Sequence, residues 1–154
     1  MTEYLPVYLD IETTSLEADS GMVISVGYAI GDSEPTVMSV RSYEDEQRVI
    51  ANLIDRVKNA VVVTFNGSGF DIPFLISRGL KYGLYFPRVE LVDLYLWAKK
   101  YLRFQSRRFH DICLFFDIPH EEISGKEMNE LFIKAISGDS GAWERITSHL
   151  IQDI

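Results

Sequence analysis

Cysteine is almost missing from this chain: of 154 residues only Cys113 carries a thiol. A lone cysteine can neither close an internal disulfide nor furnish a thiolate zinc cluster, which agrees with a reducing compartment. Its place in "DICLFF", among large hydrophobes, suits a buried apolar filler. No stretch approaches the ~18 consecutive apolar residues of a membrane helix, and "MTEYLPVYLDIE" has neither the basic start nor the small-residue cleavage site of a signal peptide. The expectation is a soluble, cytoplasmic protein with no membrane partner. Positive charge is also scarce. Fifteen Lys and Arg against 23 Asp and Glu leave a net charge of −8, which argues against gripping nucleic acid by broad electrostatics. A local groove stays open, because Lys99, Lys100, Arg103, Arg107 and Arg108 gather in "KKYLRFQSRR" with no acid between them. There is no repeat, linker or low-complexity segment, and the 47% apolar content is enough to build one core, so a single domain over residues 1–154 is expected.

What is present begins with alternation. "YLPVYLDIE", "MVISVGYAIGD" and "TVMSVRSY" are short runs rich in Val, Ile and Tyr, separated by polar connections, and predict three strands in an antiparallel meander. In "EDEQRVIANLIDRVKNA", Val49, Leu53, Ile54 and Val57 form one apolar stripe of a helix, with an acidic first turn that suits the helix dipole. "AVVVTF" has no alternation, the pattern of an interior strand parallel to its neighbour. The remainder, "FDIPFLISRGLKYG", "LVDLYLWAKKYL", "FHDICLFFD", "GKEMNELFIKAIS" and "GAWERITSHLIQDI", predicts helices. The fold class is α/β: a mixed sheet that starts as a meander and is flanked by helices. Trp97 and Trp143 are expected in the core, and His110 and His120, which lack metal-ligand spacing, in surface or packing roles. Asp93, flanked by apolar residues, reads as a buried, hydrogen-bonded acid.

Three acidic features carry chemistry. In "DIETT", Asp10 and Glu12 are i and i+2 on a strand and so project from one face at its carboxyl end. Two such charges repel unless a cation lies between them, and hard divalent ions prefer carboxylate oxygens; a pair that simply solvates a strand end is the plainer alternative. After the interior strand, "NGSGFDIPFL" offers a tight glycine loop and Asp71 at a helix start, where it either faces a ligand crevice or only complements the dipole. In "HLIQD", His149 and Asp153 are i and i+4 and share a helix face, as an active pair or as a solvated helix end.

Taken together, "DIETTSL", "NGSGFDIPFL" and "HLIQD" resemble the three blocks of DEDD-type 3′→5′ exonucleases, a ribonuclease H-like fold. The likeness runs from Tyr4 to Asp153 and is greatest to stand-alone relatives of the family B DNA polymerase exonuclease domain. The resemblance implies two-metal hydrolysis of single-stranded DNA or RNA from the 3′ end, releasing nucleoside 5′-monophosphates. By it, Asp10, Glu12, Asp71 and Asp153 hold two Mg²⁺ or Mn²⁺ ions, Glu12 also acts in catalysis, and His149 is the general base. Thr13, Leu16, Asn66 and Phe70 line the pocket for the terminal nucleotide. The basic stretch would carry the rest of the strand, with Tyr101 or Phe104 stacking a base. The chain departs from the family pattern in two places: a histidine stands at the spacing used for tyrosine, and Ser15 replaces a common glycine. Relatives also continue their last helix past the acid at Asp153, so a fraying turn there is expected to bind metal weakly unless something orders it. The alternatives are a weak or inactive nucleic-acid-binding adaptor of the same fold, or a metal phosphatase of small esters, which would have no use for the basic stretch.

Overall fold

The computed structural model describes residues 5–154; the beginning of the first predicted strand, at Tyr4, lies outside them. Three strands open the chain, β1 (Val7–Thr13), β2 (Val23–Ile30) and β3 (Thr36–Ser39). They form the expected meander, β1 antiparallel to β2 and β2 antiparallel to β3. Helix α1 (Glu46–Val57) leads to β4 (Val61–Thr64), which lies parallel to β1. Helix α2 (Asp71–Lys81) leads to β5 (Glu90–Asp93), parallel to β4, and the sheet order is β3-β2-β1-β4-β5. Helices α3 (Leu94–Tyr101), α4 (Phe109–Phe115), α5 (Gly125–Ile136) and α6 (Ser140–Asp153) complete the chain.

The two-residue period of β1 divides its side chains between two layers. Val7, Leu9 and Ile11 join Val49, Ile50 and Leu53 of α1 and Phe74 and Leu75 of α2 in one core. On the other side of the sheet Ile24 meets Met128, Leu131 and Phe132 of α5 and Trp143 and Ile146 of α6 in a second core. Trp143 and Cys113 are buried as expected.

Two expectations need correction. "LVDLYLW" is not one helix. Its start is strand β5, and Asp93 ends the strand and caps α3 by accepting hydrogen bonds from the amides of Tyr95 and Leu96. Trp97 is 52% exposed rather than core, because α3 buries only Ala98. Glu46 stands in the first turn of α1, as the acidic start of that helix foretold, and is fully buried. It accepts from the Val23 amide at 2.7 Å, from Arg78 Nε at 2.9 Å and Nη2 at 2.5 Å, and from the Tyr82 hydroxyl, so it ties α1 to β2 and α2. Leu16 is 79% exposed.

Candidate metal centre

Asp10 and Glu12 leave β1 on the face opposite Leu9 and Ile11, toward α6. Across the β1–β2 ladder Asp10 pairs with Gly27. A Cβ on Gly27 would stand 2.8 Å from Leu150 Cγ and 3.2 Å from Ile154 Cγ1, so the missing side chain lets the last turns of α6 settle directly on the sheet. That close approach brings His149 and Asp153 to the strand carboxylates. Carboxylate oxygens of Asp10, Glu12 and Asp153 lie within 4.8 Å of one another. Asp71 enters from the start of α2 and is 2% exposed.

The electrostatics are those of acids crowded away from water. Burial, followed by the charges of Asp71, Asp153 and Glu12, holds the Asp10 carboxyl well above its ordinary value. Burial is also the main cause raising Asp71, to about 7, with Glu12 and Asp93 adding to it, and burial raises Asp153. Asp71 Oδ1 is buried without a hydrogen-bond partner. Crowded carboxylate oxygens of this kind fit a hard divalent cation, whose charge would let all of them ionise.

His149 is 7% exposed. Its Nε2 lies 3.3 Å from Glu12 Oε1 and 3.4 Å from Asp153 Oδ2. Burial lowers its pKa, but the contact to Glu12 and the charges of Asp153 and Glu12 outweigh that, and the net shift is upward.

Two more histidines reach the same place, contrary to the surface or packing role expected of them. His120 Nε2 is 2.6 Å from Asp153 Oδ1, and His120 Nδ1 is 2.9 Å from His110 Nδ1. Phe65, Phe109, Asp10 and all three imidazoles line one cavity of about 260 Å³. No spacing rule links His120 to His149, yet the chain has three histidines in all and every one converges here; their rarity was the available signal.

The loop between β4 and α2 is fixed from both ends. Gly67 donates its amide to Thr64 Oγ1 at 3.2 Å, and a Cβ at Gly67 would fall 2.3 Å from that oxygen. Asn66 takes φ 64°, a left-handed conformation that asparagine tolerates. Asp93 accepts from the amides of Asn66 (2.9 Å) and Ser68 (3.1 Å) and from the Ser68 hydroxyl. The buried acid foreseen at Asp93 thus anchors the loop that presents Asn66, Phe70 and Asp71. Leu16 and Phe70 line a shared shallow cavity with Gly69 and Phe74. The Thr13 hydroxyl donates to the Ser15 carbonyl at 2.8 Å, and Ser15 is not among the positive-φ residues, so replacing glycine there imposes no backbone strain.

In the basic stretch Arg108 is committed to Asp111 and Glu122. Phe104 is engaged with Phe115 and Phe116 at 4.6 and 6.3 Å between centroids. Trp97 and Tyr101 pack together at 5.3 Å and are both more than half exposed, with Lys100 Nζ 5.0 Å from the Tyr101 ring. No helix among the described residues is long and apolar enough to cross a membrane.

Three comparisons bear on this arrangement. The sequence profile of a family described as the RNase_H superfamily matches residues 7–154. An uncharacterized protein of Methanocaldococcus jannaschii is 28% identical over 158 residues, covering 95% of this chain and 87% of that one. The family B DNA polymerase of Pyrobaculum calidifontis superposes with a TM-score of 0.77 at 20% identity, over 98% of this chain. The present chain spans 23% of that polymerase, so the likeness is one of fold.

Proposed function

The chain belongs to the ribonuclease H superfamily, and from that premise we propose that it is a metal-dependent 3′→5′ exonuclease that hydrolyses single-stranded DNA or RNA to nucleoside 5′-monophosphates. The observation that carries this reading is the meeting of Asp10, Glu12 and Asp153 within 4.8 Å, with Asp71 close enough to raise the Asp10 carboxyl. These four acids would hold two Mg²⁺ or Mn²⁺ ions. Bound divalent ions supply Lewis-acid stabilisation of the charge that builds on a phosphodiester displaced in line.

The chain's own groups do the rest. His149, buried beside Glu12 and Asp153, accepts the proton of the attacking water, while Glu12 holds the imidazole in place through the 3.3 Å contact. Thr13, Leu16, Asn66 and Phe70 receive the terminal nucleotide, and the shared cavity of Leu16 and Phe70 supports this use. Upstream bases stack on the exposed Trp97–Tyr101 pair while Lys99, Lys100 and Arg103 meet phosphates. This assignment replaces Phe104, which is already packed.

A 5′-labelled oligonucleotide incubated with Mn²⁺ tests the proposal. A ladder shortening from the 3′ end, abolished in Asp10→Ala, is expected; a label that stays full length in both Mg²⁺ and Mn²⁺ overturns it. One observation favours a second reading, a binding module of the same fold that turns over weakly or not at all: the imidazole at the tyrosine position has its Nε2 held between two carboxylates. Capture of a 3′ overhang by Asp10→Ala, without turnover by the wild type, would select it.

A further inference from the structure

Oxygen ligands explain Asp10, Glu12 and Asp71 but leave His110 and His120 without a use, and they leave open a second use of His149, as a ligand in place of a base. We propose that His120, His149 and Asp153 form a nitrogen-rich site that takes a borderline transition-metal ion, of the Mn²⁺, Co²⁺ or Zn²⁺ class, in preference to Mg²⁺. The inference deepens the proposed function by naming the ion on the Asp153 side, and it rests on that reading only in placing metal at this carboxylate.

One ligand atom from each of the three residues lies within 4.8 Å of the others. Their side chains are well covered, at 5%, 8% and 13% exposure for His120, His149 and Asp153. Each carboxylate oxygen has an imidazole nitrogen beside it: His120 Nε2 at 2.6 Å from Oδ1, and His149 Nε2 at 3.4 Å from Oδ2. Tetrahedral ligands at ~2.0–2.2 Å from an ion stand about 3.3–3.6 Å apart. The three ligand atoms, now within 4.8 Å of one another, are near that spacing.

One further observation points to a ligand. The His120 ring is held from behind, since its Nδ1 meets His110 Nδ1 at 2.9 Å. That is the support a metal-bound imidazole ordinarily has: with the hydrogen between the two Nδ1 atoms carried by His120, its Nε2 is available to an ion in place of the contact to Asp153. Chemistry then sets the preference. Imidazole nitrogen suits first-row transition ions, whereas Mg²⁺ takes oxygen ligands and sheds water reluctantly.

The probe is Mn²⁺ added to the chelator-stripped full chain, read by pulsed electron paramagnetic resonance for ¹⁴N modulation and by calorimetry against Mg²⁺. Nitrogen coupling in the wild type is expected, with Mn²⁺ affinity falling at least tenfold in His120→Gln while Mg²⁺ affinity stays within twofold. Glutamine retains a hydrogen bond to Asp153 and most of the packing; should it fail to fold, the wild-type nitrogen signal alone decides. Absence of ¹⁴N coupling from bound Mn²⁺, or an equal loss of Mn²⁺ and Mg²⁺ affinity in His120→Gln, overturns the proposal. Oligonucleotide shortening measured alongside separates the two readings: nitrogen coupling without turnover keeps the site and removes the nuclease, and turnover without nitrogen coupling does the reverse.

Discussion

Replacing Asp71 by asparagine removes one charge from the cluster and keeps the shape, and in metal-free buffer it should make the protein more stable. Asp71 is 2% exposed and its carboxyl is raised from 3.8 to about 7, with burial as the first cause. Between those values the folded state holds a proton that the unfolded chain has released, so stability falls as pH rises through that window, and the full penalty is present above it. The span is about three pH units, or about 4 kcal/mol as a ceiling at ~1.4 kcal/mol per unit. His149 adds a slope of the same sign. With its pKa raised in the fold, its contribution is complete below its unfolded value and is lost as pH climbs through the folded one. Urea unfolding in chelator at pH 5 and pH 8 measures both effects. The wild type should lose stability between the two. Asp71→Asn should show a shallower loss and gain about 2–4 kcal/mol at pH 8, equivalent to ~4–15 °C in Tm for a chain of this size. Mn²⁺ at about a hundred times its Kd should return ~2.7 kcal/mol to the wild type, and less to the variant. A wild type equally stable at both pH values, or a variant weaker than wild type at pH 8 in chelator, would refute the picture of crowded, desolvated carboxylates.

Other substitutions probe the supports of the site. Arg78→Leu leaves Glu46 buried and unpaired and should cost about 3–5 kcal/mol in denaturant unfolding. Gly27→Ala puts a Cβ against Leu150; overpacking of this kind typically costs ~1–3 kcal/mol, and the lift it gives α6 should weaken Mn²⁺ binding measured by calorimetry. Trp97→Ala, on an exposed face, should change stability by less than about 0.5 kcal/mol yet weaken binding of a single-stranded oligonucleotide by roughly 5–150-fold, the ~1–3 kcal/mol of one stacked base. Unchanged binding in fluorescence anisotropy would remove Trp97 from the strand path.

Local periodicity made much of this molecule legible from its residues. Alternation along "VYLDIET" foretold that Asp10 and Glu12 would share one face of β1, and the i, i+4 step in "HLIQD" foretold that His149 and Asp153 would share a side of α6. Both rules follow from the geometry of one element. Failures occurred where the deciding contact came from elsewhere in the chain. β5 is four residues long and runs straight into α3, so "LVDLYLW" has no breaker to mark the change; pairing with β4 makes it a strand. Glu46 matched the rule for an acid in a first helical turn, and only Arg78, 32 positions later, reveals it as a buried ion-pair partner. His120 likewise acquires meaning from Asp153, 33 residues on.

Gly27 shows why the two kinds of information must be combined. Within β2 it reads as a weak point in an otherwise apolar strand, since glycine adds backbone entropy and no packing. Its value is relational: it is the residue opposite Asp10 in the ladder and beneath Leu150 in the helix layer. A larger side chain there would satisfy every rule for a buried strand and would separate the carboxylates of β1 from the acid and histidine of α6. The metal centre thus depends on a residue that contributes no ligand and no charge, and whose importance appears only once strand register and helix approach are known together.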